Sequence, residues 1–264
     1  MSPYIISYLR KYVDPSIHNN HVVWLSAASL AAQGGFMPLS GMLIRVLGLR
    51  VIVFVSCVIY SGGIMLCYFT ITNGFGNFML TQNIMLGMGL GCCYSPLISL
   101  AIVCFPKQQG LVIGLCTCGF GTGAIVLTPV QTALINPSNI FANNETQWII
   151  GQTFINDDTY LSIVELLGAV VNAVGCIIWG SVGDVLSFKV PLYVNSLVYA
   201  TVLATFPFVI TLPMVNHYLY AIWVMLIHSC VGGNFVLLPF AISRAFGQKQ
   251  FATKYGIVFT ALVS

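Results

Sequence analysis

Residues 51–106 read VIVFVSCVIYSGGIMLCYFTITNGFGNFMLTQNIMLGMGLGCCYSPLISLAIVCFP, and from Val51 to Pro106 there is no Asp, Glu, Lys or Arg. One crossing of a bilayer needs about 20 apolar residues. The stretch is more than long enough for two, so it reads as a span, a short uncharged turn at Asn73-Gly-Phe-Gly76 and a second span running back. Val190 to Ser243 is equally free of charge and reads the same way. In lipid, only helices and closed barrels satisfy their own backbone polar groups. Continuous apolar runs lack the alternation of a barrel strand, so the fold class is all-α integral membrane.

The whole chain agrees with this stretch. Of its 264 residues 58% are hydrophobic and 6% charged, against about 25% charged in a soluble domain. The net charge of +3 is dispersed, without the clustered basic face that nucleic-acid binding requires. The nine cysteines all fall in apolar runs and show no paired metal-ligand spacing, so they read as small buried hydrophobes. No cofactor or metal is expected. The N-terminus lacks the basic and apolar segments of a cleavable signal peptide. No H-E-x-x-H, G-x-S-x-G, P-loop or Rossmann glycine pattern occurs in a suitable context, which argues against an enzyme.

Runs and breakers place spans near 20–43, 51–72, 76–104, 111–133, 160–182, 190–211 and 217–241, with a partial eighth from Thr253. This gives about seven full spans plus partial helices at both ends. Alternating the loops between two sides puts Arg45, Arg50, Lys107, Lys189, Arg244, Lys249 and Lys254 together, and leaves Arg10 and Lys11 opposite. The positive-inside rule makes the basic side cytoplasmic. The polar loop 134–158 then faces outward and carries the sequon Asn144-Glu-Thr146, so Asn144 is the expected glycosylation site.

Two decapeptides lie on the basic side, Gly41-Met-Leu-Ile-Arg-Val-Leu-Gly-Leu-Arg50 and Gly180-Ser-Val-Gly-Asp-Val-Leu-Ser-Phe-Lys189. In each, a glycine is expected to open a tight turn and allow close helix approach. A charge follows four positions on (Arg45, Asp184) and a basic residue closes the segment (Arg50, Lys189). The charges could pair with a neighbouring helix end when a gate on this side is shut. The alternative is an ordinary basic turn between two spans.

The decapeptides resemble the loop between the second and third helices of each half in the major facilitator superfamily, roughly G-x-x-x-D-R-x-G-R-K. The first copy keeps Gly41, Gly48 and Arg50, with Arg45 where the acid usually stands. The second keeps Gly180, Asp184 and Lys189. A further resemblance, to the branch of oxalate/formate antiporters and monocarboxylate transporters, lies in Gly87-Met-Gly-Leu-Gly91, Tyr94-Ser-Pro96, Phe105-Pro106-Lys107, Gly110 and Gly119-Phe-Gly-Thr-Gly123. Tyr8-Leu-Arg10 and Ile135-Asn-Pro137 are similar to that branch as well. The resemblance implies a major facilitator-like helix bundle, with 1–133 as most of an N-terminal bundle and 159–264 as part of a C-terminal one. The outward loop 134–158 joins them.

It also implies a secondary-active transporter of small organic anions such as monocarboxylates, working by alternating access in a plasma membrane, with an antiporter and a proton-coupled mode both open. The oligomeric state stays undetermined. That family has six helices between its decapeptides, whereas four spans fit between Arg50 and Gly180. The chain is therefore expected to be a fragment, a shortened isoform or an incomplete gene model, spliced near Phe154 to Glu165. The alternative function is a transport-inactive or regulatory fragment. A seven-helix receptor is opposed by the internal repeat.

Ionisable and polar groups inside spans are functional candidates. Glu165, Asn172 and Cys176 share one helical face at i, i+7 and i+11, and that face could line a water-filled path. Glu165 could instead reach the interface. His228 could carry a proton or hydrogen bond a neighbouring helix. Asn83, Gln131, Asn172 and Asn234 could be interhelical ties, and Tyr94 and Asn234 complete the candidate substrate path. In the resembling carboxylate transporters an anion-binding arginine stands close to the place of Cys176. A thiol cannot supply that cationic fork.

Overall fold

A computed structural model describes residues 9, 12–13, 21–135, 158–211, 216–248 and 251–263. Asn144, most of the polar loop around it and Lys249 lie outside these residues. The described segments are helical and contain no strand. We number the helices α1 (His21–Leu47), α2 (Leu49–Thr70), α3 (Phe75–Cys104), α4 (Gln109–Ile135), α5 (Asp158–Val185), α6 (Lys189–Thr211), α7 (Asn216–Phe246) and α8 (Phe251–Val263). The first seven each contain a segment long and apolar enough to cross a bilayer, which makes the chain a multi-pass membrane protein.

Side-chain exposure follows from lipid as solvent. Phe54, Met65, Tyr193, Leu197 and Phe208 all point outward at 70% exposure or more, an arrangement that water would penalise heavily. The cysteines depart from expectation for the same reason. Cys176 and Cys230 are buried, but Cys57, Cys104 and Cys116 are exposed on the helix surfaces, because lipid accepts an apolar thiol as readily as a protein core does.

The helices group into two compact units, Met1–Val103 with Phe246–Ser264, and Cys104–Ala245. This grouping follows helix packing, and it differs from the linear division at 133 and 159. In the first unit α8 packs on α1, and in the second α5 packs on α4. The α1/α8 contact has a chemical basis. Pro38 sits inside α1 and has no N–H to return to the carbonyl four residues back. That carbonyl, on Gly34, accepts instead from the Thr260 hydroxyl of α8 at 2.9 Å. Gly256 of α8 lies so close to Pro38 that an added Cβ would sit 2.8 Å from the proline Cδ.

The decapeptides correct one expectation. Gly41 and Gly180 do not open turns; both lie inside helices, with α1 continuing to Leu47 and α5 to Val185. The first turn is made by Gly48 alone, whose φ of 78° favours a residue without Cβ. The second spans Leu186 to Phe188. A π-helical turn, Leu80–Met85, interrupts α3, and no sequence signal announced it.

Candidate functional site

Close packing of α4 against α5 is produced by small residues. A Cβ on Gly114 would lie 3.1 Å from the Cys176 carbonyl carbon, and one on Gly180 2.8 Å from that of Gly110. One turn beyond Gly180, the Asp184 carboxylate accepts hydrogen bonds from the backbone N–H of Gly110 at 2.9 Å and of Leu111 at 2.8 Å. These amides belong to the first turn of α4, where a helix offers them no partner of its own. The carboxylate also meets the positive end of the α4 dipole. Beside it, the Ser243 hydroxyl of α7 donates to Gln109 Oε1 at 3.1 Å. Lys189 is exposed at the start of α6.

The other unit repeats the glycine contact without the cap. A Cβ on Gly41 of α1 would lie 2.8 Å from the Ala252 carbonyl carbon of α8. Four residues on, where the second copy has Asp184, stands Arg45, exposed in the last turn of α1. A guanidinium has no acceptor to offer helix amides. Gly48 and Arg50 are both exposed.

Glu165, Asn172 and Cys176 do share a face, and it meets α7. Asn172 Nδ2 donates to the His228 carbonyl at 2.9 Å, and Cys176 Sγ lies 3.6 Å from the Gly232 carbonyl. Glu165 Oε1 is 3.6 Å from His228 Nε2, with side-chain exposures of 72% and 26%. His228 Nδ1 sits 2.9 Å from the Val224 carbonyl. The imidazole rests on Gly168, where an added Cβ would approach the ring to 2.9–3.1 Å. Cys176 is fully buried, so the thiol offers no surface to a solute in this conformation.

Asn234 accepts from Asn195 Nδ2 at 2.8 Å, and that amide also donates to the Cys230 carbonyl at 3.1 Å. Sequence reasoning missed Asn195, which is completely buried and whose Oδ1 has no hydrogen-bond partner. The signal was available, since an amide within the charge-free run Val190 to Ser243 is as costly in lipid as Asn172.

In the first unit Tyr94 is buried at 6% exposure and packs against Tyr255, ring centroids 6.2 Å apart. The glycines 87, 89 and 91 alternate between neighbours: Gly87 and Gly91 face α1 at Ala32 and Gln33, and Gly89 faces α2 at Tyr60. Of the later stripe only Gly121 has a neighbour, Ala173 and Asn172; Gly119 and Gly123 face open space. A cavity of about 320 Å³ is lined by Leu25, Ser26, Ser29, Leu30 and Asn83. Asn83 Nδ2 is buried there without a partner. Tyr94 and Asn83 thus lie in one unit, and Glu165, Asn172, Cys176, His228 and Asn234 in the other.

No protein-family model matches the chain. It is 30% identical over 117 residues to Apicoplast pyruvate carrier 1 of Toxoplasma gondii, a match covering 44% of this chain and 21% of the relative. It is 20% identical over 117 residues to Fujikurins efflux protein of Gibberella fujikuroi, covering 44% and 25%. It is 38% identical over 56 residues to Monocarboxylate transporter 12 of Xenopus laevis, covering 21% and 12%. The matches span a quarter or less of each relative's length. The relatives are transport proteins, and the similarity supports a transporter of small organic substrates.

Proposed function

We propose that this chain is a secondary-active transporter of small organic anions such as monocarboxylates, of the major facilitator superfamily and its oxalate/formate and monocarboxylate branch. The observation that carries the reading is the paired decapeptide geometry. At matching positions Gly41 packs α1 onto α8 and Gly180 packs α5 onto α4. Each pair joins one helix from 1–133 to one from 159–264, the two bundles proposed to rock about a central site. The glycine seams allow close approach without interdigitated side chains, and the Asp184 cap on α4 closes one seam at its basic-loop end.

The basic loops are assigned to the cytoplasm and 134–158, with a glycosylated Asn144, to the opposite side. Glu165, Asn172 and His228 are the path residues retained; Tyr94 and Cys176 are assigned to packing between helices, and Asn234 to the hydrogen bond that ties α7 to Asn195 of α6. A proton is the proposed coupling ion and the plasma membrane the proposed site, although the relative named for the apicoplast supports an internal membrane instead. Uptake of radiolabelled lactate, formate or oxalate by cells expressing the chain tests the reading. Uptake above that of empty-vector cells is expected; none, with the protein shown to reach the surface, sinks it.

A second reading, a chain that has lost carboxylate transport, is favoured by one observation. Cys176 is buried with its thiol against the Gly232 carbonyl, close to where the resembling transporters place a cation.

A further inference from the structure

The geometry around His228 fixes its proton. Nδ1 lies 2.9 Å from the Val224 carbonyl, and a carbonyl can only accept, so Nδ1 carries the hydrogen. In the neutral ring Nε2 is then a bare lone pair, and it faces Glu165 Oε1 at 3.6 Å. Two lone pairs facing each other inside a membrane repel, whereas an added proton on Nε2 turns the contact into attraction. The ring cannot turn away freely, because Gly168 lies flat against it and Asn172 holds the His228 carbonyl. Glu165 is held far more loosely. Its separation exceeds a hydrogen-bond length, and at 72% exposure it can swing aside.

The surroundings offer no other cation. Asp158, Glu165 and Asp184 are the charged residues of α5, while α4 carries none. Lys189 and Arg244 stand at the far, basic-loop ends of α6 and α7. The titratable groups near the pair are the phenols of Tyr220, beside Glu165, and of Tyr160, which donates to the His217 carbonyl, with Tyr218 next to it. The other imidazole among the described residues of α4 to α7, His217, stands in the first turn of α7 beside Tyr160, so in the interior of these helices a carboxylate meets one side chain able to become positive, His228.

We propose that protonated His228 is the cation that receives a carboxylate substrate in this chain, taking the part that Cys176 cannot, with Glu165 as the resident counter-ion that the substrate displaces. The proposal rests on the transporter reading above. The proton is drawn from water at the open face onto Nε2, and it returns there when the anion has left and the ring gives it up. When Nε2 loses its proton the cation disappears and the site no longer holds an anion.

The test uses the full chain in proteoliposomes, with labelled pyruvate as the probe and equal pH on both sides. Wild-type exchange should be high at the acid end of the pH range tested and fall as pH rises, by about tenfold per unit once most rings have lost the Nε2 proton. His228→Lys should exchange at both ends of that range, and His228→Gln at neither. His228→Gln combined with Cys176→Arg should regain exchange with a flat pH profile, which shows that loss in the single variant is not misfolding. A wild-type pH profile in His228→Gln, or in His228→Lys, overturns the proposal and leaves the transporter reading standing. No exchange by the wild type at any pH overturns both.

Discussion

Replacing Asp184 by Ala removes the acceptor for two amides of α4, those of Gly110 and Leu111. A hydrogen bond to a charged group contributes about 1.5–3 kcal/mol, and a carboxylate at a helix N-terminus adds about 0.3–1 kcal/mol. Asp184 is half-buried, and water reaches the freed amides in the opened state, so the net loss is about 2 kcal/mol rather than the sum. At 1.4 kcal/mol per factor of ten, opening at this end of the α4/α5 seam becomes roughly 30-fold more populated. Amide hydrogen exchange of a peptide covering residues 109–113, with the protein in lipid nanodiscs, reads that population. Asp184→Ala should exchange roughly 30-fold faster there and unchanged in α2, which belongs to the other unit. Asp184→Asn keeps a carbonyl acceptor without the charge, and should fall between the two. Equal rates in all three proteins would refute the reasoning, and Asn matching Asp would show that the charge contributes nothing.

Further outcomes follow from the same contacts. Gly110→Val places a side chain on the Gly180 carbonyl, where a Cβ on Gly110 already lies 3.2 Å from the carbonyl carbon; it should abolish transport at normal expression, read by uptake and surface labelling. Arg45→Asp puts an acid where the second decapeptide has one, beside the start of α8. It should slow exchange of the amides of residues 251–254 and raise the melting temperature by about 2–4 °C. Asn195→Ala removes the donor to Asn234 and Cys230 and leaves a void under Gly233. It should destabilise the second unit by about 1–2 kcal/mol, measured by thermal unfolding in detergent.

Charge-free runs made the spans legible, because lipid imposes one rule on every residue it touches. Helix ends fell within a few residues wherever a turn carried Gly, Pro or Asn, as at Asn73-Gly74 and Phe105-Pro106. Gly41 misled for a physical reason. Glycine marks both turns and close helix contacts, and only the facing helix, with Ala252 and Thr253 against it, shows which one holds. The π-turn at Leu80–Met85 was invisible in the sequence; within it Thr81 meets Thr70 of α2 at 2.7 Å, a contact between helices that no local pattern announces. Glu165 and His228 were separately legible as costly residues in apolar runs. Their pairing was not, since it depends on the register of α5 against α7, where Gly168 leaves room for the imidazole.

Carboxylate exchange by the purified chain is the most direct measurement of transport. Reconstituted into liposomes preloaded with unlabelled pyruvate, the wild type should accumulate labelled pyruvate against empty-liposome controls, and unlabelled lactate should compete. Liposomes carrying correctly inserted, monodisperse protein that accumulate no more label than empty ones would contradict it.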